Sequence, residues 1–433
     1  MSGLSFNALP PIDLPFRFFI SAPLFIIACA LLILFSGEAL WLSRWQANML
    51  ALTHGFTLGF LTMVMMGALL QLLPVIGGIG LAKPRLMAST SHILYSAGVI
   101  ALMLNFIFAE NWLTISALIL LSLGFGIYLC AIIWLLVKKI SQSDAINGFR
   151  LALTSLVVVL LLGVLLLASR AGITMPFTLD KQFTNIHALF GLVGWAGILI
   201  ISVSFQVLPM FHVAPNMPKY IRQYLSVSIF IFLLVYMVYA EFALGLIVIS
   251  HGVFALTLFY VINQRKRKID DTSIKYWQLA AATLLLLNVL YFLPDSFYRS
   301  ADTPLFIALP DKTMLLTAIF IYFYLLSVIQ AMLLKILPFL SYTHLQQRCL
   351  IDFSAMQFIP HMHEFLNKKQ GLALYYLHIL SGLSLLAVIC EPSLYVFFAA
   401  CLLLEFSWLL LLMIKCMHLY FTVSQKIHLS NKA

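Results

Sequence analysis

The sequence predicts an all-α membrane protein of about twelve transmembrane helices, forming a single domain over residues 1–433. Of the 433 residues, 63% are hydrophobic and only 9% are charged. That is too little charge to cover the surface of a soluble domain. The apolar residues also come in long unbroken runs, and a helix needs about 20 such residues to cross a bilayer core. Because backbone groups in lipid must be hydrogen-bonded within their own segment, these runs are interpreted as helices.

Twelve apolar runs along the chain are long enough to span a bilayer. The first has one arginine, Arg17, at its start and no small-residue cleavage site after it. It is therefore predicted to be a retained helix and not a signal peptide. The predicted spans are 17–36, 50–74, 90–109, 113–137, 150–169, 187–210, 221–240, 242–263, 276–294, 314–338, 372–390 and 393–415.

The net charge of +10 could suggest a nucleic-acid partner, but the placement of the charges predicts a membrane topology instead. If the N-terminus is cytoplasmic, nineteen lysines and arginines fall in cytoplasmic segments and five on the opposite side. By the positive-inside rule, this imbalance predicts that both termini are cytoplasmic. The positive segments are also expected to attract the anionic lipids of the bilayer. The five cations on the opposite side are Arg44, Arg170, Lys181, Arg299 and Lys312.

Three helix ends resemble one another, which indicates an internal repeat. Residues 68–74, 203–209 and 332–338 each end in Leu-Pro, with glutamine or lysine three residues before the proline. One proline at a helix end is explained by its inability to continue the hydrogen-bond ladder. Three similar ends, four helices apart, are better explained by repetition. The predicted units of four helices are 1–145, 146–270 and 271–433.

Ionisable side chains within apolar spans are candidates for function, because lipid makes them costly to retain. His54 and His187 open the second and sixth spans, so they are predicted to lie at similar depth near the non-cytoplasmic face. Imidazole is well suited to bind haem iron or copper from a helix. The pair is therefore the predicted cofactor-binding or metal-binding site. The alternative interpretation is that each ring bonds to a neighbouring helix or lies in interfacial water.

Four other polar groups are weaker candidates. His92 and His378 lie close to the cytoplasmic ends of their helices, where a structural role is the preferred interpretation, with metal binding as the alternative. His251, a further candidate metal ligand, falls in the middle of the eighth span. Glu405 is the carboxylate that lies well inside an apolar run, in the twelfth span. It could serve in a proton relay, or be a neutral acid bonded to a neighbouring helix.

Two of these helices carry recognisable motifs. The stretch from His54 to Pro74 reads His-Gly-Phe-Thr-Leu-Gly-Phe-Leu-Thr-Met-Val-Met-Met-Gly-Ala-Leu-Leu-Gln-Leu-Leu-Pro, and the stretch from His187 to Pro209 includes Gly-Leu-Val-Gly-Trp. Both resemble histidine helices in the catalytic subunit of haem–copper oxidases, especially the cbb-type cytochrome oxidases and the related nitric oxide reductases. The resemblance implies twelve helices in three arcs of four, haem histidines toward the non-cytoplasmic side, and a bacterial cytoplasmic (inner) membrane.

The sequence departs from this family in its remaining histidines. Family oxidases use six: two for a low-spin haem, one for a high-spin haem and three for copper. Here the tenth span has Leu316 and Ala318 where the repeat would place a histidine, and residues 220–240 of the seventh span contain none. The resemblance therefore does not imply oxygen reduction, and whether the chain is an enzyme stays open. The NnrS-type haem–copper membrane proteins, linked to nitric oxide stress, have a comparable His-Gly-rich helix.

The resemblance implies a haem-binding or copper-binding protein of electron transfer, nitric oxide response or metal handling, working with respiratory-complex subunits or another redox partner. One alternative is a cofactor-free transporter or assembly factor that keeps the fold alone. Transporters often contain repeats, but usually as two inverted halves, whereas the three repeated ends here are predicted on one side. A further alternative is a structural subunit that docks onto a larger respiratory complex.

Overall fold

The computed structural model describes residues 10–77, 80–138, 144–175, 179–298, 310–350 and 353–430. Within these ranges all the regular elements are helices, as the long apolar runs predict. Of the cations assigned to the non-cytoplasmic side, Arg299 lies outside the described residues.

The described residues form twelve long helices, one at the position of each predicted span. They are α1 (Asp13–Ser36), α2 (Ala47–Val75), α3 (Pro84–Phe108), α4 (Asn111–Lys138), α5 (Asp144–Arg170), α6 (Lys181–His212), α7 (Lys219–Tyr236), α8 (Ala240–Asn263), α9 (Thr272–Phe292), α10 (Lys312–Arg348), α11 (Lys368–Cys390) and α12 (Tyr395–Ser430). Aspartate side chains cap three of these helices at their first turn, since Asp180, Asp271 and Asp311 accept hydrogen bonds from backbone N–H groups of α6, α9 and α10.

Eleven of the helices in the described part of the chain are long and apolar enough to cross a membrane. The exception is α7, which has only 18 residues and carries Lys219 and Arg222 in its first turn. The outward faces of the bundle are apolar: Trp112, Leu161 and Val289 are 64%, 60% and 62% exposed. Large exposed apolar areas of this kind are unfavourable in contact with water and favourable in contact with lipid.

Three helices contain a stretch of π-helix, in which the backbone hydrogen bonds skip one residue further than in an α-helix. The stretches are Gly55–Thr62 in α2, Phe190–Gly197 in α6 and Phe320–Leu326 in α10. Each stretch ends twelve residues before the proline of its helix, at position 74, 209 or 338. The Trp195 indole N–H donates to the Thr62 hydroxyl at 3.1 Å and so joins the π stretches of α6 and α2.

One proline differs from the prediction, because Pro338 lies ten residues before the end of α10, whereas Pro74 and Pro209 lie within three residues of the ends of α2 and α6. The π stretches begin eight or nine residues after the first residue of each helix.

The helices α2, α6 and α10 meet at the centre of the bundle and surround a narrow apolar cavity of about 100 Å³. Its walls come from these three helices alone. The wall residues occupy matching places, since all three helices contribute the positions ten, nine and six residues before the proline. These are Val64, Met65 and Ala68 in α2, Leu199, Ile200 and Val203 in α6, and Val328, Ile329 and Met332 in α10.

The start of α1 and the end of α12 lie at the same end of the bundle, where the Phe16 and Tyr420 rings meet edge to face at 6.5 Å. We call this end the terminal face and the opposite end the far face. The helices run alternately between the two, so the first turns of α2 and α6 lie at the far face and the first turn of α9 at the terminal face.

A polar cluster at the terminal face ties α6, α9 and α10 together. Asp271 pairs with Lys335 of α10, and its carboxylate lies 3.8 Å from Nδ1 of His212. Burial by itself raises the pKa of Asp271. The charge and hydrogen bond of Lys335, the charge of His212 and the Ser273 N–H bond outweigh burial, so the pKa lies below its ordinary value.

An Asp271→Asn variant tests this ion pair, since it removes the charge and keeps an N-capping side chain. A lowered pKa in the folded state means that the carboxylate stabilises the fold above the unfolded-state pKa of about 3.9, and that this contribution is lost as the pH falls below it. We expect the variant to be destabilised by about 1–3 kcal/mol at neutral pH. The deficit should shrink as the medium becomes acidic.

Thermal unfolding in detergent over a series of pH values measures the effect. Asp270→Asn is the matched control, because the Asp270 side chain is 79% exposed and its ion pair with Lys275 lies at the surface, where such pairs contribute little. A deficit for Asp271→Asn that stays constant from neutral to acidic pH would contradict the ion-pair interpretation.

Candidate functional site

The structure brings His54 of α2 and His187 of α6 together near the far face. The centroids of their imidazole rings lie 6.4 Å apart, and the ring planes are inclined by 30°. Both residues stand just before the π stretch of their helix, which begins at Gly55 in α2 and at Phe190 in α6. The two candidate ligands singled out by the sequence are therefore close neighbours in the fold.

Each of the two rings is held by a backbone carbonyl at its Nδ1 atom. His54 Nδ1 lies 2.8 Å from the carbonyl of Leu50, and His187 Nδ1 lies 3.1 Å from the carbonyl of Val159. Neither Nε2 atom has a hydrogen bond to a described residue. A backbone carbonyl on Nδ1 fixes the proton there and leaves the Nε2 lone pair available, which is the usual arrangement of a metal-ligating histidine.

The surroundings of the pair restrict how the rings can move. The Phe106 ring stacks on His54 with centroids 5.2 Å apart. On the other side, Gly163 of α5 faces His187, and a Cβ atom at this glycine would lie 3.1 Å from His187 Cε1. The missing side chain at Gly163 therefore makes room for the imidazole.

The pair by itself offers fewer ligands than a bare metal ion usually takes. Among the described residues, no three or more histidine, cysteine, aspartate or glutamate side chains come close enough to hold a metal together. A protein-bound copper or zinc ion generally takes three or four protein ligands. Haem iron takes four ligands from the porphyrin and needs only axial side chains from the protein.

The remaining histidine candidates lie elsewhere. His92 is bonded through Nε2 to the Ser21 hydroxyl at 2.7 Å and packs against Phe18, an arrangement that fits the structural interpretation. His251 of α8 is 3% exposed, and its Nδ1 lies 2.8 Å from the carbonyl of Ile247. Its Nε2 atom is buried without a hydrogen-bond partner in the described structure. Neither histidine joins the pair formed by His54 and His187.

A cavity of about 570 Å³ lies between the helices on the far side of the bundle. Its walls are mostly apolar, and charged side chains from the far face line its outer part: Arg44, Glu241, Asp295 and Lys312. His251 and Tyr322 line its inner part. A large apolar cavity with a few polar groups is the usual form of a small-molecule site, and we call it the far-face cavity.

Next to the far-face cavity is a fully buried polar cluster built around Glu405 of α12. Its Oε1 lies 2.6 Å from Nε2 of Gln330 and 2.8 Å from Nδ1 of His378. Its Oε2 accepts a hydrogen bond from the Tyr322 hydroxyl. The Tyr276 hydroxyl donates to Gln330 Oε1 at 2.7 Å and thereby fixes the orientation of the amide. These five side chains, which come from α9, α10, α11 and α12, are no more than 1% exposed.

His378 connects this cluster to α10 on two sides. Its ring stacks on that of Tyr322 with centroids 4.8 Å apart and planes inclined by 8°. Its Nε2 lies 2.8 Å from the Ser327 hydroxyl. The sequence favours a structural role for His378 near a helix end. The structure places its ring against the carboxylate of Glu405 in a buried polar cluster, which is compatible with that role.

Sequence reasoning found Glu405 but missed Tyr322, Gln330 and Tyr276. Tyrosine and glutamine are common in membrane helices, so neither residue type marks a site by itself. Tyr322 and Gln330 lie eight residues apart on α10, or about two helical turns. Their partners come from three other helices, which the sequence does not place.

Comparison with protein-family models and with curated proteins finds no match to this chain. The functional argument therefore rests on the residues and their geometry.

Two tyrosines in the same π stretch give a matched test of the Glu405 cluster. Tyr322→Phe removes a donor from a buried carboxylate, which should destabilise the protein by about 1–3 kcal/mol. Tyr324→Phe removes a buried hydroxyl that has no hydrogen-bond partner in the described structure, so it should be neutral or slightly stabilising. Thermal unfolding of both variants in detergent checks this. Equal losses of stability in the two variants would show that the hydrogen bond from Tyr322 to Glu405 does not stabilise the protein.

Proposed function

We propose that this chain is a haem-binding membrane protein of electron transfer, in which His54 and His187 are the two axial ligands of one haem iron. The observation that carries the proposal is the meeting of these two rings, with each Nδ1 atom on a backbone carbonyl and neither Nε2 atom hydrogen-bonded to a described residue.

The separation of the rings is compatible with this role. The centroids of His54 and His187 are 6.4 Å apart, so the two side chains are close enough to contact the same ligand.

The surrounding residues contribute orientation and space. The carbonyls of Leu50 and Val159 hold the two rings through Nδ1, and Gly163 leaves the volume that His187 occupies. A bound haem would supply a one-electron iron couple whose potential depends on its axial ligands and on burial. Electron transfer would also require a redox partner at the membrane.

The architecture supports a common plan with the haem–copper oxidase subunit. The π stretches of α2, α6 and α10 end at the same distance from their prolines, and the wall positions of the central cavity match in all three helices. We infer that the chain consists of three units of four helices, about 1–145, 146–270 and 271–433. With the terminal face in the cytoplasm, as the charge distribution predicts, His54 and His187 would lie toward the opposite side.

The test of the haem proposal is an absorption spectrum of the detergent-purified protein from haem-replete cells, oxidised and reduced. We expect a Soret band that shifts on reduction and has the low-spin form typical of two axial imidazoles. His54→Ala and His187→Ala should each abolish that form, since either change removes one axial ligand. His92→Ala is the control and should leave the spectrum unchanged. A colourless protein, or a spectrum that survives both variants, would overturn the proposal.

A second pair of variants leaves both histidines in place. Gly163→Ala puts a methyl group 3.1 Å from His187 Cε1, so it should weaken haem retention by displacing the ring. Gly126→Ala is the matched control, because a Cβ atom there has no neighbour within 4 Å. Haem content per protein, measured after an extended wash in detergent, should fall only for Gly163→Ala. Equal haem retention in the two variants would contradict the role given to Gly163.

A further inference from the structure

We propose that Glu405 is a proton-binding site within the membrane, and that it exchanges its proton with the far-face cavity through the Tyr322 hydroxyl. The proposal does not depend on haem. It rests on the hydrogen-bond geometry around Glu405 and on the position of Tyr322 between the carboxylate and the cavity.

The cluster satisfies Glu405 in both of its protonation states. In the empty state the carboxylate accepts from Tyr322 at Oε2, and from Gln330 and the Nδ1–H group of His378 at Oε1. When the site holds its proton, the Oε2–H group of Glu405 would donate to the Tyr322 oxygen, and both hydrogen bonds at Oε1 would remain. His378 Nε2 accepts from Ser327 throughout. The two states therefore require the same positions of the heavy atoms within the cluster.

Glu405 is fully buried and has three hydrogen-bond donors around its carboxylate. A carboxylate deep in an apolar medium is costly, and a neutral acid beside a neutral imidazole avoids buried charge altogether. The three donors make the ionised state accessible, because hydrogen bonds to a carboxylate offset part of its desolvation. Reversible proton binding requires a group whose ionised and neutral states are both accessible.

The titratable group closest to Oε1 of Glu405 is His378, whose Nδ1 lies 2.8 Å away and which pairs with the carboxylate when it is itself protonated. Tyr276 on α9, Tyr375 on α11 and Cys401 on α12 are neutral side chains around the cluster. The ionic groups toward the terminal face are Asp271 and Lys335, which pair with one another. They stand five residues from Tyr276 and Gln330 on α9 and α10, or about 7.5 Å along a helix axis.

Tyr322 provides the route between the site and the cavity. It lines the far-face cavity and also donates to Glu405 Oε2. When a proton enters, the Tyr322 O–H bond breaks as its proton moves to Glu405, and the phenolic oxygen takes a replacement proton from water in the cavity. The net result is one proton gained by the carboxylate and one lost by the water. Release follows the same steps in reverse.

Infrared spectroscopy of the full chain in lipid nanodiscs tests both parts of the proposal. We expect a carbonyl stretch of a protonated carboxylic acid that is present in the wild type and absent in Glu405→Gln. After transfer to D₂O this band should shift as the acid proton exchanges. The exchange should be slower by about tenfold or more in Tyr322→Phe, and Tyr324→Phe should exchange at the wild-type rate.

The two tyrosine variants keep the proposal testable even if Glu405→Gln does not fold, since both retain the glutamate. Tyr324 is a suitable control because it is equally buried and lies in the same π stretch, but it does not line the cavity. A band that persists in Glu405→Gln, or equal exchange rates in the two tyrosine variants, would overturn the proposal.

Discussion

The fold is governed by the cost of placing polar groups where no water can reach them. Buried polar side chains occur in many of the helices, and some of them are joined in hydrogen-bonded clusters. Glu405 is the strongest example, because its two oxygens are bonded to three side chains from two other helices. Leaving one oxygen unbonded in that environment would cost about 1–3 kcal/mol, so the cluster fixes how α10, α11 and α12 pack.

The three central helices share a departure from regular α-helical geometry, and this departure is close to both candidate sites. The π stretches of α2 and α6 follow His54 and His187, and the π stretch of α10 contains Tyr322. A π turn shifts every following side chain around the helix axis relative to a regular helix. The side chains after each π stretch therefore point in directions that a regular α-helix would not give them.

Residues next to both sites line the far-face cavity. The residues Leu50 and Thr53 beside His54, and Ala188 beside His187, line it on one side, and Tyr322 lines it on another. His251, whose Nε2 atom has no hydrogen-bond partner in the described structure, faces the same space. An electron-transfer group at the histidine pair and a proton site at Glu405 would therefore be reached from the same side of the membrane.

The sequence by itself determined the helical class, the twelve helix positions and three of the candidate site residues, His54, His187 and Glu405. These follow from local rules, since an apolar run long enough to cross a bilayer must be helical and an ionisable group within it is conspicuous. Only the tertiary structure decided that His54 meets His187, that His378 bonds to Glu405, and that Tyr322, Gln330 and Tyr276 complete the cluster. Those pairings depend on which faces of distant helices pack together, and an apolar face toward lipid has the same composition as one toward another helix.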